Sequence, residues 1–143
     1  MRLSNMADYA VVVMSAAARH CGTMRVSATE LSAETGISLP TTQKLVSMLS
    51  KHGLLRSTRG TGGGIQLARP AAAITLADII EAIEGPIAMT SCVSEQGCDC
   101  SLQTECSVKP QWQDANAVVR GALAGISLAG MIRPATVQMK IPA

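Results

Sequence analysis

Apolar residues recur at steps of three and four along the first helix-length segment, Leu3 to Arg19. Leu3, Met6, Ala10, Val13, Met14 and Ala17 share one face, with no Pro or Gly between them. That period predicts an amphipathic helix. Ser27 and Glu30 then form the pattern of a capping box, opening a short helix that Gly36 closes. After the turn Gly36-Ile37-Ser38, Ser38 stands where a cap belongs, Pro40 occupies the first turn, and Leu39, Thr42, Leu45, Val46 and Leu49 make one face of a helix ending at Gly53. Two short helices joined by a tight glycine turn predict a helix-turn-helix, whose second helix enters the major groove of DNA. Its solvent face would offer Ser38, Thr41, Gln43, Lys44 and Ser47 as base and phosphate readers.

The period then shortens. Leu54–Ser57 and Ile65–Arg69 read as strands around a glycine-rich turn, giving a hairpin wing whose tip carries Arg59, placed to enter a minor groove. The glycine run lacks the Gly-Lys-Ser/Thr ending of a phosphate loop. Thr75 and Asp78 cap a further helix, Leu76 to Glu84, stopped by Gly85-Pro86. After a polar stretch without period, Pro110 opens a long helix in which Trp112, Ala115, Val119, Ala122, Ile126 and Ala129 form an a/d seam. That seam predicts a homodimer, with Trp112, Val119 and Ile126 at its interface. The predicted architecture is mainly α: a winged helix-turn-helix domain over residues 1–86, a cysteine loop over 87–109, a dimerisation helix over 110–132, and a disordered tail over 133–143.

Composition narrows what this architecture can do. Phe is absent, and Tyr9 and Trp112 are the only aromatics, so the core must be aliphatic and base-stacking on single strands has little to work with. Net charge is +2, but residues 1–69 carry +5 and residues 70–143 carry −3. The DNA-binding half is therefore the half that a phosphate backbone attracts. The N-terminus lacks a signal-peptide pattern and no segment is long and apolar enough for a membrane span, so a cytoplasmic protein is expected.

Four of five cysteines, Cys92, Cys98, Cys100 and Cys106, fall within fifteen residues. Disulfides do not suit a reducing compartment. Structural zinc prefers pairs spaced by two to four residues, whereas gaps of five, one and five suit sulfurs wrapping a larger iron-sulfur cluster. A cluster-free thiol switch is a further reading of the same residues. Only two histidines exist and no nucleophile-base pairing is evident, so no enzyme and no small-molecule substrate are expected.

Taken together, Asp8-Tyr9-Ala10, Leu54-Leu55-Arg56-Ser57-Thr58-Arg59-Gly60, Gly62-Gly63-Gly64, Leu67-Ala68-Arg69-Pro70, the run Ile74 to Gly85 and the cysteine loop resemble the IscR/NsrR (Rrf-two) family of bacterial regulators. The resemblance covers residues 1–131. It implies a homodimeric repressor with a 2Fe-2S or 4Fe-4S cluster, bound to a palindromic site on double-stranded DNA. The family's three cysteines match Cys92, Cys98 and Cys106, its wing arginine matches Arg59, and its recognition helix matches residues 38–51. The stretch Gly125 to Ala129 resembles the branch controlling iron-sulfur cluster assembly genes. Where that branch has a ligand histidine this chain has Lys109, leaving Cys100 or Asp8 as the fourth ligand. Asp8 matches the position used by nitric-oxide-sensing members of the NsrR type, which is the alternative function.

Overall fold

The computed structural model of the chain describes residues 2–20, 25–94, 100–102 and 105–132. Cys21, Cys98 and the expected tail at 133–143 lie outside the described residues. The first helix, α1, spans Asn5–Arg19, with Ser4 accepting from the Ala7 amide as its cap. It therefore starts two residues later than the apolar period suggested: Leu3 precedes the cap and stays 43% exposed. Helix α2 is Ala28–Thr35 with both halves of the Ser27/Glu30 capping box made, and Gly36 closes it in the left-handed conformation at φ 75°. Helix α3 is Leu39–Lys51, burying Thr42, Leu45, Val46 and Leu49. Ser38 occupies its cap position without capping, because the Ser38 hydroxyl donates to Thr41 Oγ1 at 2.9 Å instead.

The wing consists of β1, Leu55–Thr58, and β2, Gly64–Leu67, paired antiparallel with Leu55 opposite Leu67 and Thr58 opposite Gly64. Strand β1 lies one residue later than the sequence-based expectation, because Leu54 is fully buried beneath the sheet's start and Thr58 is still paired, while β2 begins one residue earlier and ends two earlier than expected. Helix α4, Leu76–Glu84, carries the second capping box, Thr75 with Asp78. A 3-10 turn, Ser91–Val93, precedes helix α5, Lys109–Ala124, and a last helix, α6, is Leu128–Met131.

The single long helix expected over 110–132 is thus two. Gly125 ends α5, and Ser127 caps α6 through its hydroxyl. The break is held by long-range pairing: Leu76 N donates to Ile126 O and Leu128 N to Ile74 O, both at 2.8 Å. Leu128 is consequently fully buried and joins the core of Val13, Met14, Leu31, Leu45, Leu49, Leu54, Ile74 and Ile79. Each such aliphatic side chain contributes about 1.5–3 kcal/mol by leaving water. Helix α1 lies at the centre of this aliphatic core, touching α2, α3, α4, α6 and β2, while α5 leans on α4.

Candidate functional site

The fold sets α3 and the wing on either side of one open groove of about 900 Å³. Gln43, Ser47 and Lys51 come from α3, Thr58 and Arg59 from the wing, and Ser27 from the start of α2. Among the described residues two cations, Lys51 and Arg59, and no carboxylate line it, so the groove favours a polyanion. Of the expected readers, Ser38, Gln43, Lys44 and Arg59 are exposed, and Thr41 is half-buried with its oxygen engaged by Ser38. Gln43 and Arg59 line the groove; Lys44 and Ser38 do not. Lys51 was missed by sequence reasoning. It lies seven residues, two helical turns, beyond Lys44 on nearly the same line of α3, a spacing that could have found it.

The turn Ser91–Val93, which carries Cys92, lies against α5. Cys92 is half-buried in the 3-10 turn, with its sulfur 3.0 Å from Thr90 Oγ1. Cys106 is half-buried and Cys100 exposed. Among the described residues no three of Cys, His, Asp or Glu are gathered closely enough to hold a metal ion. Asp8 is exposed in the first turn of α1. Lys109, at the position of the family's histidine ligand, lines a cavity of about 320 Å³ together with Cys92, Gln113 and Asn116.

Two polar contacts connect this segment to the winged domain. The Asn116 carboxamide on α5 accepts from Met89 N at 2.8 Å and donates to Ile87 O at 2.9 Å, fixing the chain three residues before Cys92. One turn further along α5, Arg120 makes a two-pronged contact to Glu81 of α4, Nε to Oε1 at 2.8 Å and Nη2 to Oε2 at 3.0 Å. Glu81 also accepts from Ile87 N. The Arg120 guanidinium holds the Glu81 carboxyl below its usual range, partly offset by burial. None of these three residues stands out by sequence pattern, since their partners lie far away along the chain.

Helix α5 buries no residue completely. Trp112 is 39% exposed and Ile126, now outside the helix, is 38% exposed, but Val119 is half-buried. Val118, absent from the expected seam, is 72% exposed. With Ala115 and Ala122 it forms a second three- and four-residue stripe that the sequence also contained.

Comparison with known proteins agrees with this geometry. Residues 3–134 match the family model Rrf2, described as an iron-dependent transcriptional regulator. The chain is 34% identical over 132 residues to the HTH-type transcriptional regulator IscR of Photorhabdus laumondii, covering 92% of this chain and 79% of that one. Among solved structures it is similar to IscR of T. potens, with a TM-score of 0.68 and 30% identity over 92% of this chain and 86% of that one. It is also similar to CymR, the global cysteine regulator of B. subtilis, with a TM-score of 0.72 and 27% identity over 92% and 96% of the two chains. A winged helix-turn-helix with a cation-lined groove, matched by these relatives over about nine-tenths of its length, places the chain in the Rrf2 family of transcriptional regulators, proteins that control transcription rather than catalyse a reaction.

Proposed function

We propose that this chain is a homodimeric repressor that binds a palindromic promoter site in double-stranded DNA and controls iron-sulfur cluster assembly genes according to cluster, iron or redox status. Cys92, Cys98 and Cys106 would hold a 2Fe-2S or 4Fe-4S cluster, with Cys100 or Asp8 as fourth ligand. The donor chemistry fits: Cys92 and Cys106 are free thiols on a segment that solvent reaches, and soft thiolates are what such clusters require. When bound, the cluster supplies several bonds to sulfur at once and is labile to oxidation.

The observation that carries this reading is the pair of contacts from Asn116 and Arg120. Residues that fix the Cys92 segment fix α5, and α5 is fixed to α4 of the winged domain. Ordering the cysteine segment would thereby bias the angle between α5 and the recognition helix, and in a dimer that angle sets half-site spacing. A 10- to 100-fold difference in DNA affinity between states needs only about 1.4–2.8 kcal/mol. Replacing Cys92 with Ala should abolish the difference in duplex affinity between anaerobically loaded and metal-free protein. An unchanged difference would refute the coupling.

The stripe of exposed Trp112, Val118 and Ala122 with half-buried Ala115 supports α5 as the dimer contact. Val118→Arg should shift the protein toward monomer in sedimentation, whereas a dimer of unchanged strength would remove α5 from the interface. Asp8 supports a second reading, the nitric-oxide-sensing type, because its carboxylate is exposed at the start of α1 and available to a partner subunit. Loss of nitric oxide response in Asp8→Ala, but not in Cys100→Ala, would favour it. A cluster-free thiol switch would instead leave the protein without iron and alter its mobility on non-reducing gels after oxidation.

A further inference from the structure

The segment entering α2 does more than lead into a helix. Val26 pairs with Ile65 of β2 through two backbone hydrogen bonds, Val26 N to Ile65 O at 3.1 Å and Ile65 N to Val26 O at 2.7 Å. This adds a single rung to the wing on the side away from β1. From there the Arg25 guanidinium reaches the wing tip, where Nη1 donates to Thr58 Oγ1 at 2.8 Å and to Gly62 O at 3.0 Å. Thr58 is the last residue of β1, and Gly62 lies on the far side of the tip. Arg25 therefore ties together both legs of the loop that carries Arg59.

The backbone is shaped for this approach. Gly64 sits at φ 147°, and a Cβ added there would lie 2.8 Å from the Cβ of Arg25 and 3.2 Å from Val26 O. Only glycine lets the strand come this close to residue 25. Within the tip, Gly63 N donates to Gly60 O at 2.8 Å and the Thr58 hydroxyl donates to Gly64 O at 3.5 Å, so the loop is closed by internal bonds and by the Arg25 contacts from outside. A guanidinium suits the task, because its planar fork presents several donors in fixed geometry and stays charged at any physiological pH.

We propose that Arg25 is the positioning residue of the wing, holding the Thr58–Gly62 loop at the angle from which Arg59 reads the minor groove, and so sets sequence discrimination without touching a base. This inference rests on the wing reading DNA through Arg59. Arg59 has the exposure such a role needs, and it lines the groove opposite α3. Arg25 carries a charge of its own, however, and the competing role is a direct phosphate contact. The two roles differ in what they do to discrimination, to salt dependence and to the effect of losing Arg59.

The test uses the full-length protein and the tightest duplex it enriches from a random library. Affinity is measured against variants of that duplex carrying G·C in place of A·T at the wing step, over a range of salt. A single base-pair change typically costs about 1–3 kcal/mol, a discrimination of roughly 5- to 150-fold for the native protein. Arg59→Ala should remove that discrimination at the wing step, which tests the wing reading by itself. Arg25→Ala should remove most of it too, leave the salt slope unchanged, and add nothing further when combined with Arg59→Ala. Arg25→Lys, retaining one donor head but not the fork, should recover part of the discrimination.

Circular dichroism and melting temperature check that the variants fold, and the Val26–Ile65 bonds, being backbone, survive each substitution. Retained discrimination in Arg25→Ala beside a loss in Arg59→Ala would overturn the inference alone. An additive loss in the double variant, equal on all duplexes and with a salt slope smaller by about 0.9, would make Arg25 a phosphate contact and also overturn it. If Arg59→Ala itself left discrimination intact, the wing reading would fall and the inference with it.

Discussion

Asn116 offers the most informative single perturbation, because one side chain joins the cysteine segment to α5. Asn116→Ala removes an acceptor for Met89 N and a donor for Ile87 O, both contacts partly buried. Each such bond is worth about 0.5–1.5 kcal/mol net, so roughly 1–3 kcal/mol of attachment between residues 87–89 and α5 is lost. If ordering of the cysteine segment is communicated through this attachment, the coupling cannot exceed that sum, which corresponds to a ratio of about 5 to 150 between loaded and metal-free affinity. The assay is fluorescence anisotropy of a labelled duplex titrated with anaerobically loaded and with metal-free protein, native and variant. The native ratio should contract at least about fivefold in Asn116→Ala, with the metal-free affinity changed less than about twofold. Asn116→Asp keeps the acceptor for Met89 N and loses the donor to Ile87 O, so its ratio should fall between the two. Gln113→Ala, on the same cavity wall, is the control. An undiminished ratio in Asn116→Ala, measured while hydrogen exchange at residues 87–89 has accelerated, would refute transmission through α5.

Three further expectations follow from the same structure. The Glu81 carboxyl is held below its usual range by Arg120, so the stability it contributes is fully present above about pH 4.5 and is lost as pH falls through the depressed folded value. Chemical denaturation of metal-free protein should therefore show Glu81→Gln less stable than native at pH 7, with the gap closing in acid; a gap independent of pH would mean the ion pair contributes nothing. Leu128→Ala should cost about 2–5 kcal/mol, since the side chain is fully buried, and a cost under about 1 kcal/mol would detach α6 from the core. Lys44→Ala should weaken binding to all duplexes alike and lower the salt slope by about 0.9, whereas a sequence-selective loss would make Lys44 a base reader.

What could be read from the chain in advance divides by distance along it. Both capping boxes, Ser27 with Glu30 and Thr75 with Asp78, were legible because each is a contact three residues long. The helix-turn-helix and the wing followed from period and glycine placement, with strand limits off by one or two residues. The break at Gly125 was not legible. A glycine inside a helical period is tolerated, and what ends α5 is the pairing of residues 126 and 128 with residues 76 and 74, some fifty positions away. For the same reason the a/d seam chose Val119, which is half-buried, over Val118, which is exposed. Arg25, Asn116 and Arg120 act on partners 27 to 39 residues distant, and nothing in local pattern announces them. The cysteines were conspicuous by density, but the proposed cluster would also require Cys98, which lies outside the described residues.

The regulatory mechanism proposed for this protein depends on an iron-sulfur cluster in the cysteine segment. Iron and acid-labile sulfide per chain, measured in protein purified without oxygen, test it most directly. Two or four of each per chain, falling away in Cys92→Ala, is the predicted result. Zinc without sulfide, or no metal after anaerobic reconstitution, would contradict it and leave a DNA-binding regulator whose cysteines serve another chemistry.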